Sequence, residues 1–242
     1  EERDFVRDHL GPTLEANGLL PGLRLLVWDH NRDQMPERAK VIYSDAAAES
    51  YVWGMAFHWY PDRRGDCYFE NVEKVHEGWP HKHLVFTEGC CAWSNPRNEE
   101  WSHAMTYAEN ILRDLNSWTE AWIDWNMVLD ETGGPNHMGN FCSAPVMVDV
   151  SRDNVFFQPS YYAIGQFARF VQPGSDRISC SCSNSKHLQA TAFANPDGTL
   201  VAVVLNRGPT DLRFKLVLED SMAAACVPAR SVTTFVLLQP DA

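Results

Sequence analysis

Four strand-length apolar runs recur along the first 125 residues with helix-patterned text between them, and that rhythm leaves few folds open. The runs are Leu23–Asp29, Val52–Trp59, Leu84–Thr87 and Glu120–Trp125. Between them lie helix patterns at Pro36–Ser50, Glu70–Gly78 and Glu99–Trp118, the last with Trp101, Met105, Ala108, Ile111, Leu112 and Leu115 on one face. Strands apolar on both faces and joined by helices form a parallel sheet covered by helices, either doubly wound or closed as a barrel. Each run ends in a polar or aromatic residue: Asp29, then His58 with Tyr60, then Glu88, then Trp125, at spacings of 29, 30 and 37 residues. One βα unit takes roughly 30 residues, so these side chains converge on one rim, the end where βα barrels place their chemistry. The expected class is α/β, with a barrel preferred.

The flanking text adds a helix pattern at Glu2–Asn17, with an interruption expected at Gly11-Pro12. After a loop at Thr132–Asn140 come an apolar run at Val146–Val150 and a helix pattern at Tyr161–Val171. From Ser175 the character changes to strand-length runs, Leu188–Ala194, Leu200–Leu205, Phe214–Leu218 and Val232–Leu238, separated by turn signals such as Asn195-Pro196-Asp197-Gly198. Two domains are expected, residues 1–172 and a small antiparallel β domain, 173–242. All nine tryptophans fall in residues 28–125, so stacking surfaces belong to the first part.

Composition narrows the function classes. At 242 residues, 45% hydrophobic and 21% charged, the chain is ordinary globular text, not disordered. A net charge of -12 repels polyanions, which disfavours nucleic acid and anionic membranes as partners. No apolar run approaches the roughly 18 residues of a membrane span, and Glu1–Leu10 is charged, unlike a leader peptide. The chain lacks an initial Met, and a preceding N-terminal part is expected. Seven cysteines, with Cys90 and Cys91 adjacent, specify no disulfide framework. Metals are not expected: His76, His81 and His83 precede their strand and so sit at the opposite end from Glu88, and Cys180-Ser181-Cys182 has no second ligand pair. No cofactor loop or serine elbow occurs.

The sharpest element is His83-Leu84-Val85-Phe86-Thr87-Glu88-Gly89, an apolar strand closing on a carboxylate. Retaining glycosidases need two carboxyl groups roughly 5 to 5.5 Å apart, and Glu88 fits the attacking one. The plainer alternative is a solvated Glu capping the next helix. The segments Leu25-Leu26-Val27-Trp28-Asp29-His30-Asn31, Gly54-Met55-Ala56-Phe57-His58-Trp59-Tyr60, Phe86-Thr87-Glu88-Gly89 and Trp122-Ile123-Asp124-Trp125-Asn126 occur in order, with Gly133-Gly134-Pro135-Asn136, Gln158-Pro159-Ser160-Tyr161-Tyr162 and Val203-Val204-Leu205-Asn206-Arg207 after them. Together they make the chain resemble the second half of family 30 glycoside hydrolases, the glucosylceramidase-like group.

That resemblance implies the second half of a (β/α)8 TIM barrel followed by a β-sandwich side domain, and retaining hydrolysis of β-linked sugars with Glu88 as nucleophile. It also implies His58 and Tyr60 beside the nucleophile, Trp125 as a pocket aromatic, Asp29 as a sugar contact or loop anchor, and Asn140 at the pocket mouth or serving turn chemistry alone. The family's acid/base Glu belongs to an Asn-Glu-Pro type motif after the fourth strand. No such motif precedes the Asp29 run, and Asn98-Glu99 lies past the nucleophile, so half of the barrel and the acid/base are expected to be missing. The implied partner is a β-glucoside or a glycolipid such as glucosylceramide. Relatives acting on β-1,6-glucan or xylan and a non-catalytic glycan-binding fragment are the alternatives. The chain alone is expected to need its N-terminal half or to form a homo-oligomer. A secreted or lysosome-like location is implied for the family.

Overall fold

The computed structural model describes residues 1–92, 101–183 and 186–237. The helix start expected at Asn98-Glu99 lies outside the described residues. Along the chain, helices α1 Glu2–Phe5, α2 Gly11–Ala16, α3 Met35–Tyr43, α4 Ala46–Tyr51 and α5 Glu70–Gly78 accompany strands β1 Leu26–Asn31, β2 Gly54–His58 and β3 His83–Glu88. There follow the two-residue strand β4 Cys91–Ala92, helix α6 Trp101–Asn116 and strand β5 Thr119–Trp122. Two compact units result, one of Glu1–Gly89 with Ser117–Trp125, the other of Cys90–Asn116 with Asn126–Ala242.

In the first unit the strands form one parallel sheet in the order β1-β2-β3-β5. Parallel strands carry apolar side chains on both faces because helices cover both. Here Val27, Met55, Phe57, Leu84 and Phe86 are all buried. Helix α3 buries Met35, Ala39 and Ile42, and α5 buries Val72 and Val75. Each large apolar side chain so buried stabilises the sheet by about 1.5–3 kcal/mol before entropy is counted. Arg32 is enclosed beneath the same strands, its guanidinium 4.2 Å from the Phe69 ring centre and 5.5 Å from that of Phe57.

Two helix expectations change. Pro36–Ser50 is broken into α3 and α4, because Asp45 takes an extended conformation and caps the second piece, accepting from the amides of Ala47 and Ala48. The opening helix is not interrupted at Gly11-Pro12. A π turn, Val6–Leu10, lets the Gly11 amide bond back to the Val6 carbonyl, and Pro12 then enters at the first turn of α2, where its missing N–H costs nothing. Gly11 is required there because a Cβ would meet the Tyr51 ring.

The second unit adds strands β6 Val128–Asp130, β7 Cys142–Ser143, β8 Val146–Asp149 and β9 Asn154–Phe157, helix α7 Pro159–Ala168, and strands β10 Asp176–Ile178, β11 Leu188–Ala194, β12 Leu200–Asn206, β13 Leu212–Leu218, β14 Ser221–Val227 and β15 Ser231–Leu237. An antiparallel sheet β10-β11-β12-β15 and a hairpin β13-β14 enclose Leu188, Val204 and Val227 together with Phe214 and Phe235. Strand β14 was not expected from the sequence. Its Ser-Met-Ala-Ala-Ala-Cys-Val text has little β propensity and is held by seven register pairs to β13.

Candidate active site

The parallel register brings the candidate residues of the first unit to one sheet end. Asn31 of β1 lies opposite His58 of β2, and His58 opposite Glu88 of β3. Just before that end, β1 bulges: its pairing slips between Trp28 and His30, and Trp28 and Asp29 take φ of 79° and 51°. Asp tolerates the left-handed region better than most residues but a bulky Trp does not, so the surroundings must hold Trp28 there. The Trp28 amide donates to Glu2 Oε1 at 2.7 Å, and its indole N–H donates to the Asn31 carbonyl at 2.9 Å. A bulge re-aims the extra side chain, and the one re-aimed here is Asp29.

Asp29 Oδ1 accepts from the Thr87 hydroxyl at 2.7 Å and lies 2.9 Å from His58 Nε2. Burial works to raise the Asp29 carboxyl, but the hydrogen bonds from Thr87 and His58 and the neighbouring imidazoles outweigh it, leaving it below the usual 3.8. An ionised carboxylate only accepts, so His58 carries its proton on Nε2. Its Nδ1 then faces Glu88 Oε1, 4.0 Å away. The same Glu88 oxygen accepts from the Tyr60 hydroxyl at 3.0 Å. His58 is 8% exposed and the Glu88 side chain 24%, so the carboxylate is reachable while the imidazole beside it is enclosed.

Gly89 follows Glu88 because the backbone runs against aromatic rings: a Cβ would stand 2.9 Å from both Phe86 Cζ and Trp59 Cε2. Phe86 and Trp122 stack at 4.3 Å and 5°, with Trp59 edge-on to both. Strand β5 ends at Trp122, short of Trp125, but the Trp125 amide donates to the Gly89 carbonyl at 3.1 Å. That bond fixes the Trp125 backbone beside the residue after Glu88, and its side chain is 51% exposed.

Asn140 belongs to the second unit. Its amide donates to Asn136 Oδ1 and its carbonyl accepts from Asn136 Nδ2, which is turn chemistry. The three clustered histidines are engaged separately: His76 stacks on Trp118, His81 meets Glu49, and His83 stacks on Trp53 and meets Glu120. Among the described residues no group of His, Cys, Asp and Glu could hold a metal. Sequence reasoning did not single out Thr87. A hydroxyl closing an otherwise apolar strand, one residue before the carboxylate, was its available signal. The bulge had little, since Asp29 alone, with Trp28 before it and no glycine, is a weak signal of positive φ.

A family model described as the glycosyl hydrolase family 30 TIM-barrel domain matches residues 1–171. The chain belongs to glycoside hydrolase family 30. The family's β-sandwich domain matches residues 174–235. The α/β fold is therefore the part of a TIM barrel expected from the sequence, joined to a β-sandwich. Among family relatives, the chain is 35% identical to the lysosomal acid glucosylceramidase of Mus musculus over 87% of its own length and 41% of the relative's. The crystal structure of SrfJ from Salmonella typhimurium superposes with a TM-score of 0.91 at 33% identity, covering 99% of this chain and 53% of that one. The endo-beta1,6-glucanase BT3312 gives 0.85 at 30% identity, covering 97% and 52%. The chain thus spans about half the length of the relatives it matches.

Proposed function

We propose that this chain is the nucleophile-bearing portion of a retaining β-glycosidase of the glucosylceramidase type, with Glu88 as the nucleophile. The observation that carries the reading is the Glu88 carboxylate at the C-terminal end of a buried parallel strand, held on one oxygen by the Tyr60 hydroxyl. In a retaining reaction a carboxylate attacks the sugar's anomeric carbon while the leaving oxygen is protonated, and water later releases the sugar from the enzyme. Donation from Tyr60 occupies one oxygen and leaves the second to attack. His58, fixed by Asp29, packs beside the same carboxylate, with its Nδ1 4.0 Å from Glu88 Oε1 and outside hydrogen-bond reach. Trp125 offers an indole face to the CH-rich side of the sugar.

In this reading residues 1–172 carry the sugar chemistry and 173–242 support it. The proton donor, a carboxyl group roughly 5 to 5.5 Å from the nucleophile, comes from a part of the protein outside these 242 residues. The likeness to the mouse enzyme favours glucosylceramide as substrate, and the likeness to the glucanase favours β-1,6-glucan as the second reading.

Incubating the complete protein with a slow-turnover fluoroglucoside and mapping the labelled peptide tests the assignment. A label on Glu88 is expected, and a label on another carboxylate removes it. Relative rates on glucosylceramide, β-1,6-glucan and xylan rank the substrates. Binding of these sugars with neither turnover nor label would make the protein a glycan-binding one.

A further inference from the structure

Within the second unit two cysteines meet across short strands that the sugar chemistry does not use. Strands β4 and β7 pair antiparallel, Cys91 opposite Ser143 and Ala92 opposite Cys142. Alternation then puts Cys90 on the same face as Ala92 and Cys142, and turns Cys91 to the other. The Cys90 thiol points at Cys142 Sγ, 3.2 Å away. Cys142 is 4% exposed, in a small apolar cluster with Leu129, Ala144 and Met147 against which Cys90 packs from a partly exposed position. The Cys142 thiol in turn lies 3.6 Å from the Asn140 carbonyl.

We propose that Cys90 and Cys142 are a dithiol site that closes to a disulfide when the protein meets a low-molecular-weight disulfide such as oxidised glutathione. An S–S bond of about 2.05 Å requires the two sulfurs to approach by only about 1 Å, less than a side-chain rotation supplies. The order of events follows from exposure. The Cys90 thiolate, the reachable one, attacks a sulfur of the small disulfide and expels one small thiolate, leaving a mixed disulfide at residue 90. The Cys142 thiolate then attacks Cys90 Sγ and expels the second. Both protein thiols lose their protons and become one disulfide, and the small disulfide is reduced to two thiols, so atoms and electrons balance. The product would covalently join the segment that begins two residues after Glu88 to the segment that follows the loop of Asn140. Oxidation would also remove the thiol hydrogen directed at the Asn140 carbonyl. The inference does not depend on the glycosidase reading, because its product is the bond itself.

The test treats the protein with glutathione disulfide, blocks remaining thiols with an alkylating agent, and maps peptides without reduction. The expected result is a Cys90–Cys142 peptide pair, lighter by two hydrogens than its separate thiol peptides and lost on reduction. Cys180 and Cys226, both exposed, report that the reagent was active. Cys142→Ser should abolish the pair and leave glutathione on Cys90, while Cys91→Ser should leave the pair intact. The proposal is overturned if Cys90 and Cys142 are both recovered alkylated when Cys180 carries glutathione, or if the cross-link runs through Cys91. The unmutated protein decides the matter even if a variant folds poorly.

Discussion

Tyr60 bonds the candidate nucleophile directly and Asp29 holds the imidazole packed beside it, and substitutions should tell the two apart. Tyr60→Phe removes a hydrogen bond to a charged oxygen without emptying the space the ring fills. Such a bond is worth about 1.5–3 kcal/mol, so kcat should fall about ten- to a hundredfold with KM and melting temperature little changed. Steady-state kinetics of the complete protein with a nitrophenyl β-glucoside reads this directly. Asp29→Asn should instead show in stability and its pH dependence. The Asp29 carboxyl sits below 3.8 in the fold, so its contribution is complete above about pH 4 to 5 and is lost as pH falls through the folded value. The side chain is 67% exposed, and solvent screening keeps the effect below about 1 kcal/mol. The melting-temperature gap between Asp29→Asn and the parent should therefore be small near pH 6 and shrink towards pH 2. A gap that widened in acid would reverse the sign argued here. How readable these residues were follows from the backbone: His58 and Glu88 end strands whose spacing forecasts their position, with Tyr60 two residues past its strand, although the β2–β3 register slips between Phe57 and His58. Asp29 is aimed by a bulge stabilised through Glu2, a contact 26 residues upstream that no local pattern announces.

At the scale of elements, the strand β3 and the aromatic packing behind it form the support of the site. Gly89→Ala would press a methyl group into Phe86 and Trp59, neither of which can retreat far from the Phe86–Trp122 stack. Overpacking of this kind costs about 1–3 kcal/mol, and calorimetry should show the loss as a lowered melting temperature. Activity should fall with it, because the displaced backbone is the one that accepts from the Trp125 amide. The long elements with a strong period were legible in the sequence: α5 appears as expected, and the expected strands of the sheet shift by a few residues at their ends. The short strands β6, β9 and β10 were not, because three or four residues carry too little period to stand out, and their pairing partners lie outside any local window. The split of α3 from α4 was signalled by Asp45, a cap residue within an alanine-rich run whose helical preference hid it.

On the scale of the whole molecule, the parallel sheet ends in two open edges. Strand β1 pairs only with β2 and β5 only with β3 among the described residues. Unpaired edges offer backbone donors and acceptors to any other chain. Produced alone, these 242 residues should dimerise or aggregate in light scattering and should fail to hydrolyse glucosylceramide, whose leaving oxygen needs a proton donor. A monodisperse monomer that cleaves it would show that the acid lies within the chain. The tail that follows the barrel segment is bound to it through more than a linker. Asn116 donates to the Ala190 carbonyl, Arg207 pairs with Glu109 at 2.7 Å, and the Thr234 hydroxyl donates to the Gln166 carbonyl. The backbone, moreover, passes between the two compact units after Gly89, after Asn116 and after Trp125. Recombination near residue 172 therefore cannot trade the β-sandwich between relatives as a freestanding module. A chimera inherits mismatched halves of each of these contacts, and lineages that exchange the sandwich must co-inherit α6 and α7 with it.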